Sequence, residues 1–182
     1  MKILLTGGRG FIGRNIAEQL GARHEIISPS HREIDYTDYS AVLDFFKAHN
    51  FEAVIHSAAA PTHRAAKNTE NAVMTNLLMY ATLVKCAAQC GVKRFINIGS
   101  GSEYDISRSL CDVSEEEFGE RIPRDITGFP KYLENFITEP GIRIYNLRCF
   151  GVFGKYEDYT IRFISNAICR VLCGYSITLR QD

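Results

Sequence analysis

Apolar runs of strand length alternate with helix-period segments along almost the whole chain, and this alternation restricts the fold more than any other feature of the sequence. KILLT (2–6), HEIIS (24–28), EAVIHSA (52–58), RFINIGS (94–100), IRIYNLR (142–148) and SITL (176–179) read as strands. The first five are nearly continuous in Val, Ile and Leu, the pattern of strands buried on both faces of a parallel sheet. Between them, FIGRNIAEQLG (11–21), DYSAVLDFFKAHN (38–50), a segment around 70–90, ITGFPKYLENFI (126–137) and YTIRFISNAICRVLCG (159–174) carry helical periodicity. Strict βα alternation implies right-handed crossovers and an α/β fold: a doubly wound, mostly parallel sheet with helices on both faces. A polar, acidic insertion at 101–125 reads as an excursion over the carboxyl ends of the strands, the edge where such sheets bind ligands.

Composition adds limits. At 182 residues and 46% hydrophobic, the chain is long enough for one sizeable core. Its 21 basic and 21 acidic residues cancel, so no global field argues for nucleic acid. No apolar run approaches membrane-spanning length and the N-terminus does not read as a signal peptide, so a cytoplasmic location is expected. The pairs Cys86/Cys90 and Cys169/Cys173 fall in helical patterns, one turn apart; reduced, structural cysteines and no metal site are expected.

TGGRGFIG (6–13) follows the first strand directly and opens the first helix. In this context Gly7, Gly10 and Gly13 point to a Rossmann fold binding a dinucleotide: the first turns the chain, the second admits a pyrophosphate to the backbone, the third lets helix pack on strand. The helix N-terminus then offers free N–H groups to the phosphates. An acid after the second strand would hold the ribose hydroxyl of NAD, but SPSHR (28–32) stands there. Arg9, His31 and Arg32 can pair with a 2′-phosphate, so NADP is preferred and NAD remains open; the competing reading is solvated surface charge. Asp38 reads as a helix N-cap, and Asp35, beside Tyr36, is placed to reach the adenine amino group.

These residues carry a resemblance. TGGRGFIG, IDYTD (34–38), HSAAAP (56–61), Asn76, NIGSGSEY (97–104), Lys131 and LRCFGVFG (147–154) together resemble the extended short-chain dehydrogenase/reductase family, the NAD(P)-dependent epimerases, dehydratases and reductases of nucleotide sugars. The similarity runs over nearly the whole chain and is nearest to the GDP-fucose synthase branch. It implies that Phe11 and Ile12 present amides to the pyrophosphate, and that Ser57, Ala58 and Ala59 line the nicotinamide ribose. It further implies that Asn76 supports that wall and that Phe150 lies beside the nicotinamide. Helix–sheet packing is the other reading of the alanines. The resemblance also implies a nucleotide-sugar substrate and homodimerisation through the helices at 70–90 and 126–137.

The family's acid–base group is a tyrosine in Tyr-x-x-x-Lys, its phenol made more acidic by the lysine, with a serine or threonine after the fourth strand bonding the reacting oxygen. Ser100 matches that serine, Ser102 falls where some members keep an auxiliary acid–base residue, and Lys131 matches the lysine. Thr127 stands where the tyrosine belongs. A threonine hydroxyl is short and does not titrate near neutral pH, so the usual proton transfer is in question. Tyr132 falls roughly 100° round the helix from Lys131 and faces elsewhere. Tyr104 can swing over the site or pack under the excursion.

The family continues into a substrate-binding lobe, whereas this sequence ends at Asp182. The expected organisation is a cofactor domain over 1–182, with a substrate region beginning at about 149–182. Two functional readings stay open: the cofactor portion of an NAD(P)-dependent nucleotide-sugar enzyme, or a catalytically silent cofactor-binding module.

Overall fold

A computed structural model of the chain describes residues 1–60 and 71–179. Five strands, β1 (Lys2–Thr6), β2 (Glu25–Ile27), β3 (Ala53–His56), β4 (Arg94–Ser100) and β5 (Arg143–Cys149), form one sheet in the order β2-β1-β3-β4-β5. Every pairing is parallel, with Leu4 facing Ile27 on one side and Val54 on the other. The helices are α1 (Phe11–Leu20), α2 (Tyr39–His49), α3 (Ala72–Gln89), α4 (Gly128–Glu134) and α5 (Phe163–Leu172). This is the doubly wound Rossmann-type arrangement that the alternation implies.

Because strand side chains alternate faces, β1 and β3 divide the core in two. Leu4 and Val54 join Phe95 beneath α2 and α3, where Val42, Phe46, Tyr80, Leu83 and Val84 pack. Ile3, Leu5, Ala53 and Ile55 face the other way, against Ile16, Ala17 and Leu20 of α1. Asp38 caps α2, accepting the Ala41 amide at 3.1 Å, and Asn50 ends that helix in the left-handed conformation at φ 51°.

Three expectations need correction. SITL (176–179) forms no strand: those residues are irregular and exposed, since five strands already complete the sheet and no neighbour among the described residues offers 176–179 a ladder. β5 is not buried on both faces; its residues alternate, leaving Tyr145 45% and Leu147 49% exposed. Tyr145 pairs with Ile96, which packs on the α1 side, and α1 does not extend across β5. The helix expected over 126–137 is shorter, Gly128–Glu134, because Asp125 Oδ1 accepts the Thr127 and Gly128 amides at 3.0 and 2.8 Å and fixes its start there. Pro61 of the HSAAAP stretch and residue 70 lie outside the described residues.

The excursion after β4 opens with a single 3-10 turn, Gly101–Tyr104, whose four residues are all buried. Arg148 of β5 binds it down: its guanidinium reaches Glu103 Oε2 at 3.0 Å and lies over the Phe118 ring, 4.0 Å from the centroid.

Candidate functional site

β1 and β3 are neighbours, yet the chain leaves them toward opposite edges of the sheet, so their carboxyl ends flank a switch point where a crevice must open. A cleft of about 610 Å³ lies there. Three loops build it: Gly7–Gly10 after β1, segments between Pro29 and Thr37 after β2, and Ser57–Ala60 after β3, with Thr75 and Met79 of α3 behind.

The glycines are required by contact. Gly7 has φ +70°, and a Cβ on it would sit 2.7 Å from the backbone of Ser57 and Ala58. A Cβ on Gly13 would sit 2.2 Å from Gly7 O. Gly10, the N-cap of α1, meets only Gly7 O at 3.3 Å and otherwise faces open space. Two glycines thus press helix and strand loop together while the third leaves room above the α1 amides, as a pyrophosphate needs. The residues present fit a dinucleotide.

The loop after β3 is tied down by groups to which the sequence reading assigned no role. Thr6 Oγ1 accepts the Ser57 and Ala58 amides, both at 3.1 Å, so its own proton goes to His56 Nδ1 at 2.8 Å. His56 is then an acceptor at Nδ1. Burial, and next the Lys131 charge, hold its pKa well below 6.5. Asn76 closes the loop from α3, accepting the Ala60 amide at 2.6 Å and donating to Ala60 O at 3.2 Å.

Of the other expected cofactor residues, Arg9, Asp35, Tyr36, Ser57, Ala58 and Ala59 line the cleft. Asp35 accepts from Thr37, through the hydroxyl at 2.7 Å and the amide at 2.9 Å, and these bonds lower its pKa. Tyr36 is buried, with its hydroxyl toward Pro29 O at 3.4 Å and its phenol pushed up by burial. His31 lines the cleft, whereas Arg32 is exposed and is not among the lining residues. Phe11 and Ile12 turn their side chains to a second groove shared with Val152 and Phe153. Phe150 also lies outside the cleft, its ring stacked on Tyr104 at 5.9 Å and pressed on Gly101.

The candidate catalytic residues lie at the carboxyl end of β4 and along the start of α4. Ser100 Oγ shares a hydrogen bond with Ser102 Oγ at 2.8 Å and accepts the Ser102 amide at 3.2 Å. Thr127 is exposed at the N-cap of α4, and Lys131 follows within the helix. None of the three lines the cleft. A buried polar network joins two of them instead. From Ser100 it runs through its amide to Glu103 Oε1 (2.7 Å), and from Glu103 Oε2 to Asn135 and Arg148. Asn146 and Asn97 continue it to Glu134, whose Oε2 accepts Lys131 Nζ at 2.9 Å. Glu103 and Glu134 are fully buried, and burial raises the Glu134 pKa. A carboxylate one turn after Lys131 was the available signal for this pairing, and Ser100-x-x-Glu103 is a capping-box spacing that signals the bond to the Ser100 amide; the Glu103 contacts with Asn135 and Arg148 had no local sign. Tyr132 packs against Phe118 and Phe136, and Tyr104 packs beneath the excursion, so neither phenol stands in for the missing one.

A parallel sheet with a glycine-gated crevice at its switch point defines the class: a dinucleotide-binding Rossmann domain. The chain belongs to the NAD dependent epimerase/dehydratase family, which it matches over residues 3–182. It is 30% identical over 107 residues to the GDP-L-colitose synthase of Yersinia pseudotuberculosis, covering 57% of this chain and 35% of that protein. It is 31% identical over 132 residues to the GDP-L-fucose synthase of Azorhizobium caulinodans, covering 64% of this chain and 42% of that protein. The chain thus spans less than half the length of these two relatives. Among solved structures, the UDP-glucose 4-epimerase of Thermotoga maritima, with UDP-glucose, superposes with TM-score 0.81 at 25% identity, covering 100% of this chain and 66% of that one. Two more distant structures share the fold. The Naegleria fowleri GDP-L-fucose synthetase bound to NADP has TM-score 0.76 at 16% identity, covering 96% and 59% of the two chains. The Bordetella bronchiseptica enzyme WbmG in complex with NAD has TM-score 0.77 at 22% identity, covering 97% and 61%.

Proposed function

We propose that this chain is the cofactor-binding portion of an NAD(P)-dependent enzyme that epimerises, dehydrates or reduces a nucleotide sugar. The observation that carries this reading is the cleft at the switch point, where the two tight glycines, the open Gly10 and the Thr6-anchored loop converge. Family membership and the nucleotide-sugar relatives support the substrate class. Bound there, NAD(P) would accept or return a hydride at its nicotinamide. In this reading the glycine turn and the amides of Phe11 and Ile12 hold the pyrophosphate, and Asp35 and Tyr36 flank the adenosine. Ser57, Ala58 and Ala59 take the nicotinamide ribose. Arg9 and His31 at the cleft favour NADP over NAD. Residues from about 149 onward begin the substrate region. α3 exposes Met74 and Leu78, α4 exposes Phe129, and the turn after α4 exposes Phe136, which supports a homodimer through these helices. No helix among the described residues is long and apolar enough to cross a membrane, in keeping with a cytoplasmic enzyme.

Thr127 favours a second reading, a cofactor-binding module without the family's acid–base chemistry. Calorimetric titration with NADP and NAD tests the cleft directly: binding with NADP selectivity supports the assignment, and no binding of either removes it.

A further inference from the structure

In the resemblance, Lys131 serves the cofactor ribose and the phenol one turn before it; the geometry here gives the ammonium another use. Its Nζ donates at 2.9 Å to Glu134 Oε2, and the two side chains are 14% and 1% exposed. The lysine is not among the residues lining the cleft. We propose that Glu134 withholds Lys131 from the cleft: its buried carboxylate holds the ammonium in an ion pair against β4, so that in this chain the lysine is a structural cation.

The surroundings favour that pairing. Asn97 of β4 donates to the same Oε2 at 2.8 Å, while Glu134 Oε1 has no hydrogen-bond partner among the described residues. His56 from β3 and Tyr80 from α3 face the pair and feel its charges. Glu103, in the turn after β4, is the other nearby carboxylate and is matched by Arg148 of β5 at 3.0 Å. Among the described residues Lys131 is therefore the one cation bonded to Glu134, and moving it toward the cleft would leave a fully buried carboxylate with the Asn97 amide as its only donor there. Buried charges in that state are costly, so the lysine stays. The change at position 127 and the Lys131–Glu134 pair then belong together, and a tyrosine at 127 is insufficient to rebuild the acid–base couple.

This inference rests on reading the cleft as a dinucleotide site, but its test needs no dinucleotide. The phenol introduced by Thr127→Tyr is titrated by tyrosinate absorbance against Thr127→Phe, with Arg124 and Asp125 flanking it unchanged in both. With Glu134 in place it should ionise like a free phenol, near ~10. In T127Y/E134Q its pKa should fall by at least one unit, a tenfold gain in phenolate at a given pH. Adding Lys131→Met should abolish that gain. A phenol already lowered by a unit in T127Y alone would overturn the proposal, as would no change on removing Glu134. Position 127 is exposed, so T127Y alone decides the matter if the Glu134 variant does not fold. Calorimetry on the unaltered chain judges the cleft separately.

Discussion

Thr6→Val removes one oxygen at constant volume, at a position wholly shielded from water. That oxygen accepts the Ser57 and Ala58 amides at 3.1 Å and donates to His56 Nδ1 at 2.8 Å, so three hydrogen bonds go at once. Each neutral bond is worth a net of about 0.5–1.5 kcal/mol, and a buried group left unpaired costs about 1–3 kcal/mol. His56 Nδ1 is the fully buried orphan; the two amides lie in a half-buried loop and recover part of their loss from water. The sum is roughly 2–4 kcal/mol, which at a urea slope of about 2 kcal/mol per molar lowers the unfolding midpoint by about 1–2 M. Thr6→Ser keeps all three bonds and loses one buried methyl, about 0.8 kcal/mol of transfer free energy. Hydrogen exchange should quicken at Ser57 and Ala58 in the valine variant and stay slow in the serine variant. If valine and serine variants unfold together within about 0.5 kcal/mol, the hydroxyl does not anchor the loop and the argument for the cleft wall fails.

Further outcomes follow from the same geometry. Gly13→Ala would place a Cβ 2.2 Å from Gly7 O, so α1 must retreat and cofactor titration should show at least a tenfold loss of affinity. Gly91→Ala, at φ +77° in open space, should cost only the ~1–2 kcal/mol of left-handed strain and leave binding unchanged. Lys131→Met strands Glu134 and should cost about 3–5 kcal/mol at neutral pH by urea unfolding. Because the folded Glu134 pKa is raised above 4.5, its favourable contribution is present below that value and lost as pH rises through the folded value, so the variant's deficit should shrink toward acid. His56 acts in the opposite sense. Its lowered pKa makes its contribution complete above about 6.5 and lost as pH falls from there toward the folded value, at up to about 1.4 kcal/mol per unit; His56→Asn should flatten that limb of the stability profile. In alkylation followed by mass spectrometry, exposed Cys111 and Cys173 should react first, and Cys86, buried and pushed up to about 11, last.

Much of the fold was legible because its signals are local. The runs around β1, β3 and β4, the Asp38 cap and the glycine spacing each depend on neighbours within one element, and the structure places all of them as read. The cleft followed in outline, since a glycine turn after the first strand of an alternating chain has few other uses. Misreadings came where long-range packing decides. Tyr145 and Leu147 belong to an apolar run that looks buried on both faces, yet the helix on that side ends short of them. SITL has strand composition but no partner strand among the described residues. The places of Arg32, which is exposed, and Phe150, whose ring stacks on Tyr104, likewise carry no local signal.

By itself, then, the sequence determined the alternating parallel architecture, the glycine-built crevice and the absence of the usual tyrosine at Thr127, because each is written in residue type and short spacing. Tertiary structure alone decided that Thr6 and His56 lock the cleft wall, and that Glu103 and Arg148 join the Lys131–Glu134 pair of α4 in one buried network. Those pairings join residues up to 50 positions apart in the case of Thr6 and His56 and 45 in that of Glu103 and Arg148. No periodicity records such contacts, because the cost of burying a charge is settled only when strands, helix and excursion have closed around it.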